Sequence, residues 1–122
     1  MGFKEDIQKK SVDFAVRIVR LARYLQTEKT DFVISRQILR SGTSIGANVR
    51  EAQYAQSPAD FVAKLSIALK EGAETQYWIE ILQRTELVTV TRMKRLKADC
   101  DELVGMLVQS IKASKRKLKK PL

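Results

Sequence analysis

Apolar residues recur at helical spacing in four segments of this chain, and no segment alternates apolar with polar as a half-buried strand would. The first segment covers about residues 6–26 and stops at the polar break Thr27, Glu28, Lys29 and Thr30. The second covers roughly residues 31–56, with Ile34, Ile38, Ser41, Ile45, Asn48 or Val49, and Ala52 on one face. Ser57, Pro58 and Asp60 then read as a helix start, with Ser57 as N-cap, Pro58 at the first helical position and an acid in the first turn. The third helix continues to about Thr85 through Phe61, Leu65, Ala68, Gly72, Gln76, Ile79 and Gln83. A fourth starts near Thr89 or Thr91 and follows Met93, Leu96, Cys100, Leu103, Leu107 and Ile111. Short connections between long amphipathic helices favour antiparallel neighbours, so the pattern predicts an all-α, up-down four-helix bundle over residues 1–111. Residues 112–122 are expected to form a basic tail continuing the last helix.

Two helices carry more apolar surface than one bundle needs. The apolar arc of the first helix spans roughly 220° of its wheel, from Leu21 and Phe14 through Ile18, Ala15, Val19 and Val12 to Val16. A single buried stripe needs about 100° or a little more. The third helix adds Ile67, Trp78 and Ile81 on a second side, with Glu71 and Glu74 between them. Wide burial inside one bundle is one account. Self-association is the favoured one, because soluble monomers rarely expose contiguous apolar patches. It assigns Phe14, Ile18, Leu21, Ile67, Trp78 and Ile81 to a subunit interface.

Composition narrows the chemistry by what it lacks. With 122 residues the chain makes one domain. It has no histidine, which removes Ser-His and Cys-His catalytic pairs and the Glu-x-x-His ligands of di-iron bundles. Its single cysteine, Cys100, excludes an internal disulfide and a cysteine-based zinc site, and suits a reducing cytoplasm. Cys100 falls on the apolar stripe and reads as a small buried hydrophobe. The apolar run from Phe14 to Leu25 is broken by Arg17, Arg20 and Arg23, so neither a signal peptide nor a membrane span is expected. Asp6 argues against an N-myristoylation start. Glu51, Glu71 and Glu74 are the remaining acid–base or metal candidates, and ion pairing with Arg40 or Arg50 accounts for them more simply. No catalytic residue, metal site or cofactor is assigned.

Charge points to a partner class. The chain has 23 basic and 14 acidic residues, a formal net charge of +9. Lys112, Lys115, Arg116, Lys117, Lys119 and Lys120 hold six positive charges without an acid between them, leaving +3 for residues 1–111. Cations there also complement the helix dipole, and a solvated tail is an ordinary feature. As a functional element, the tail would supply salt-dependent, sequence-independent phosphate contacts. It has no interleaved aromatic on which bases could stack. Lys9, Lys10, Arg17 and Arg20 share the polar sector of the first helix, with Arg23 at its edge and Asp13 interrupting it. Arginine's planar fork suits phosphate, and symmetry would multiply such a face. A non-enzymatic nucleic-acid binder, RNA ahead of DNA, is the leading expectation, and an oligomeric scaffold docking another protein is the alternative.

Ser41, Gly42, Thr43, Ser44, Ile45, Gly46, Ala47 and Asn48 make an unusual helix interior, where each glycine costs about 1 kcal/mol. Close approach by a neighbouring helix would compensate, and the spacing is not that of a phosphate loop. Asn48 is expected to hydrogen-bond within the bundle and help set its register.

This stretch, Arg40-Ser-Gly-Thr-Ser-Ile-Gly-Ala-Asn-Val-Arg-Glu-Ala52, together with Lys64-Leu-Ser-Ile-Ala-Leu-Lys-Glu-Gly-Ala-Glu-Thr-Gln-Tyr-Trp-Ile79, resembles the bacterial 23S rRNA intervening-sequence proteins. The resemblance covers about residues 12–111. Ser44, Ile45, Asn48 and Glu51 match the family's second-helix pattern, Val49 stands for Ile, and Ala52 stands where many members have Gly. Leu65, Ser66, Ala68, Leu69 and Glu74 match the third-helix pattern, while the basic tail lies outside both. The resemblance implies a bundle that assembles as a ring-like homopentamer. It also implies kinship with the accessory variability determinant of diversity-generating retroelements, a basic pentamer engaging nucleic acid and a reverse transcriptase. The family name refers to genes inside rRNA intervening sequences and does not make its members ribosomal subunits. No catalytic set comes with the family; Asn48, Glu51 and Glu74 resemble its internal polar framework.

Overall fold

The computed structural model describes residues 3–119, with side chains from residue 5 onward, and all secondary structure in that range is helical. The helices are α1 (Phe3–Glu28), α2 (Val33–Ala52), α3 (Pro58–Thr85) and α4 (Val90–Lys119). The all-α, four-helix reading of the sequence is therefore correct. Each helix packs on its neighbours in sequence, and α4 returns to α1 through a much thinner contact, so the four form a closed square without diagonal contacts.

Local chemistry sets the ends. Asp31 accepts hydrogen bonds from the backbone N–H groups of Ile34 (2.8 Å) and Ser35 (3.2 Å), so α2 begins two residues past the sequence estimate. It also stops four residues early, at Ala52. The N–H groups of Gln53, Tyr54 and Ala55 turn inward to carbonyls three residues back, which tightens the chain ahead of Pro58. Ser57 caps α3 as expected, its hydroxyl accepting from the Asp60 N–H at 3.1 Å. The Asp60 carboxylate in turn accepts from the Gln56 N–H at 3.1 Å, so cap and first turn hold each other.

Residue pairs across each seam give the register. Gln26 meets Ser35, Gly42 faces Ile18 and Gly46 faces Ser11 between α1 and α2. Ser41 meets Thr75 and Glu51 meets Lys64 between α2 and α3, and Gly72 faces Val104 between α3 and α4. The core is filled by Ile18, Leu25, Ile38, Ile45, Val49, Ala68, Leu82, Met93, Cys100 and Leu107, each fully buried. The core stripe of α3 is turned relative to the sequence reading. Thr75 and Leu82 are buried, whereas Gln76 and Gln83 stand at its edge. Thr75 can occupy an interior slot because its hydroxyl lies 2.9 Å from that of Ser41 and 2.8 Å from the Glu71 carbonyl. Gln76 instead donates its amide to Asp101 at 2.9 Å.

Three of the six proposed interface residues are corrected by this packing. Phe14, Ile18 and Leu21 are 2%, 0% and 1% exposed within a single chain, so they have no surface left for a second copy. The wide apolar arc of α1 has two uses: these residues fill the core, while Val12 and Val16, each 43% exposed, face outward. On α3, Ile67 is exposed, and Trp78 and Ile81 are half-buried. The Trp78 indole lies against the Tyr77 ring and donates to Glu74 at 3.3 Å.

The small residues of α2 and α3 are spacers. A Cβ at Gly42 would lie 2.8 Å from Ile18 Cγ1 and 2.9 Å from Cγ2, and one at Gly72 would lie 2.9 Å from Val104 Cγ2. Gly42→Ala should therefore destabilise: overpacking costs about 1–3 kcal/mol, against a helix-propensity gain of about 1 kcal/mol. Gly105→Ala is the control, because its Cβ would meet nothing within 4 Å, and it should gain up to about 1 kcal/mol. Urea midpoints moving in opposite directions for the two variants would bear this out.

The Cys100 thiol lies 3.8 Å from the Gly72 carbonyl, and burial pushes its pKa up to about 12. The native thiol should resist thiol reagents at pH 8 until denaturant is added. Above pH 9 the unfolded chain loses a proton that the folded chain keeps, so stability should fall as pH rises from 9 towards 12. Urea unfolding at pH 8 and pH 10 measures this, and Cys100→Ala should lose less stability over that step than the natural chain.

Candidate nucleic-acid interface

The predicted basic face of α1 is largely neutralised by its neighbours. Lys9 pairs with Asp13 at 3.3 Å, and Lys10 pairs with Glu102 at 2.7 Å and Asp6 at 3.8 Å. The Glu102 hydrogen bond is the main reason that the Lys10 ammonium is held above the ordinary lysine range. Arg17 pairs with Asp99. Arg20 and Arg23 remain exposed, with no ion pair among the described residues. Exposed pairs add roughly 0–1 kcal/mol each to stability. Their larger effect here is on charge, since three of these five residues are unavailable as uncompensated cations.

The thin α1–α4 seam leaves two adjoining clefts. One is mixed in charge, lined by Lys10, Asp13, Arg17, Asp99 and Glu102 above Phe14 and Leu103. The other, about 400 Å³, lies between Arg17, Arg20 and Leu21 of α1 and Thr89, Thr91, Arg92, Arg95 and Leu96 at the start of α4. Its four arginines form two pairs, each one helical turn apart. No carboxylate lines it, and its floor is the buried Leu21 and Leu96. The Arg92 guanidinium lies 4.8 Å from the centre of the Tyr24 ring, a cation–π contact that orients it without neutralising it. Arg95, like Arg20, has no ion pair among the described residues.

The first turn of α4 has no acidic residue, so nothing there offsets the positive end of a 30-residue helix. Arginines next to such an end are disfavoured by about 0.3–1 kcal/mol each, and an anion reverses that sign. The sequence reading found Arg17 and Arg20 but missed Arg92 and Arg95. The signal was present as an i, i+3 arginine pair at a helix start with no acid, yet only the fold sets it opposite α1.

The C-terminal cations stand elsewhere. Lys112, Lys115, Arg116, Lys117 and Lys119 are exposed along the last turns of α4, with no ion pair among the described residues; Lys120 lies outside the described residues. At 1.5 Å per residue, Lys115 lies about 35 Å along the helix from Arg92. The expected nucleic-acid surface is thus two basic regions at opposite ends of α4, joined by a stretch where Lys97 pairs with Asp101 at 2.6 Å. That lysine holds the Asp101 carboxyl below its usual range; burial opposes the shift and the Gln76 amide supports it.

The polar framework also differs from expectation. Asn48 donates to the Ser44 carbonyl of its own helix at 2.8 Å and not across the bundle, and Glu51 is exposed, paired across the α2–α3 seam with Lys64 at 3.9 Å. Ser41 and Thr75 make the buried cross-helix contact instead. Glu74 and Glu71 converge on Arg40, whose guanidinium is held further up its range chiefly by the Glu74 hydrogen bond. Among the described residues, no three His, Cys, Asp or Glu side chains are grouped as a metal would need. No helix among them is long and apolar enough to cross a membrane.

Comparison with known proteins agrees with the sequence motifs. A crystal structure of a Bacteroides thetaiotaomicron protein of unknown function, from the S23 ribosomal protein family, is similar at 51% identity and a TM-score of 0.89. The alignment covers 91% of this chain and 99% of that one. No curated protein matches the chain. The pattern described as 23S rRNA-intervening sequence protein matches residues 4–109, and the chain belongs to that family.

Proposed function

We propose that this protein is a non-enzymatic, basic helical bundle that binds nucleic acid, RNA ahead of DNA, through phosphate contacts. The observation that carries this reading is the sorting of cations. Those near the middle of the α1–α4 seam are paired with acids, whereas those at the two ends of α4 are not. Uncompensated lysines and arginines release counterions when they meet a polyanion, and the gain is independent of base sequence. The proposed setting is the cytoplasm, with Cys100 as a reduced thiol.

The proposal includes an up-down topology and a ring-like homo-oligomer, a pentamer by family resemblance. Support for the topology comes from the register, in which partner numbers fall as α1 and α2 residue numbers rise. Support for assembly comes from two unlike apolar faces. One is a groove of about 310 Å³ between α1 and α2, lined by Val12, Ala15, Val16, Val19, Gly46 and Ala47. The other is the outer side of α3, with Ile67 and Tyr77 exposed. Unlike faces join head to tail, and such contacts form a ring where the rotation between successive copies closes. These same faces favour the second reading, a scaffold that docks another protein without a nucleic-acid role.

Two measurements test the proposal. Log affinity for a single-stranded RNA should fall linearly with log salt, and removing residues 112–122, with their six cations, should flatten that slope by up to about 4. An unchanged slope removes the tail from the mechanism, and an absence of binding at low salt favours the scaffold. Light scattering should give a multiple of the chain mass, reduced by Val16→Glu; a monomer at micromolar concentration overturns the assembly.

A further inference from the structure

The arginine cavity between α1 and α4 has a different character from the lysine tail. The tail is convex, exposed and lysine-rich, suited to a diffuse polyanion. The cavity is concave, about 400 Å³, and is lined by four arginines from two helices over buried leucines. That volume lies at the small-ligand end of binding pockets. Asp99 offsets one of the four charges through Arg17, leaving Arg20, Arg92 and Arg95 uncompensated.

We propose that this cavity binds a compact polyphosphate group, the di- or triphosphate of a nucleotide or of a nucleic acid's 5′ end. A cavity of this size admits roughly one or two backbone phosphodiesters, each with one charge, which under-fills three free guanidiniums. A clustered phosphate group carries roughly two charges or more at pH 7 and offers several acceptor oxygens to planar forks. Thr89 and Thr91 add hydroxyls to the lining, and the first turn of α4 beside it has no acid. The inference rests on the basic surface seeking phosphate, and it specifies the form of phosphate that this end of the molecule takes.

The test uses the full chain. Inorganic pyrophosphate is titrated by calorimetry, and two RNA dodecamers of one sequence, 5′-triphosphorylated and 5′-hydroxyl, are compared at fixed salt. Pyrophosphate should bind once per chain and displace the triphosphorylated strand, which should bind about tenfold or more tightly than its hydroxyl counterpart. The double variant R92Q/R95Q, altered at two exposed positions, should lose that preference, as should Arg20→Gln on the opposite wall. Removal of residues 112–122 should weaken both strands and keep the preference. A nucleoside diphosphate binding as well as the triphosphorylated strand identifies a free nucleotide as the source; markedly weaker binding identifies the strand end. Equal affinity for the two strands, or a preference that survives R92Q/R95Q, overturns the cavity assignment while leaving general nucleic-acid binding intact. Pyrophosphate binding with neither strand bound supports the cavity and overturns the wider reading.

Discussion

The helices of this bundle close on one another at small residues. Gly42 admits Ile18 from α1, Gly72 admits Val104 from α4, and between them Ser41 and Thr75 meet through their hydroxyls. Each of these contacts brings a third or fourth helix to the same level of the bundle. A larger residue at Gly42 would displace the fully buried Ile18, and one at Gly72 the half-buried Val104, and close-packed interiors relax poorly. Two glycines inside helices cost propensity, and the packing they allow is what offsets that loss. Small residues thus stand at all three close sides of the square, and the α1–α4 side is the looser one.

That looseness is where the chemistry lies. The groove between α1 and α2 is lined mainly by apolar residues, whereas the α1–α4 seam opens into two clefts with charged walls. Charge is graded along it. In the middle, Lys10 and Arg17 are matched by Glu102 and Asp99; the first turn of α4 has no acid. A net charge of +9 understates this arrangement, because paired cations contribute little field and two groups of unpaired ones stand about 35 Å apart along α4. Arginine dominates the enclosed end and lysine the open one. The difference matters physically: guanidinium groups bind phosphate with fixed geometry, while ammonium groups act as mobile point charges.

The buried side chains that fill the interior are chemically quiet. Cys100 sits among apolar groups with its thiol turned to a backbone carbonyl, an environment that suppresses the thiolate. Glu71 and Glu74 are committed to Arg40, and Glu74 also accepts from Trp78. These groups explain how the bundle holds together and which polar atoms are satisfied, and they leave the surface as the place for partners.

Helical periodicity alone determined the four helices, the Ser57 cap and most core positions, because burying one face of a helix imposes a repeat that any sequence must display. Composition determined that histidine and disulfide chemistry are absent, and the second- and third-helix motifs determined the family. Tertiary structure decided the finer points. It buried Phe14, Ile18 and Leu21 within one chain while Val12 and Val16 stayed outside, a division that a helical wheel of roughly 220° cannot make. It turned Thr75 inward in place of Gln76, since only a partner such as Ser41 satisfies a buried hydroxyl. It withdrew Lys9, Lys10 and Arg17 from the free basic surface and joined Arg17 and Arg20 to Arg92 and Arg95, more than 70 residues away in the chain. A repeat along one helix records which side faces inward; which charges meet across a seam depends on how two helices are set against each other.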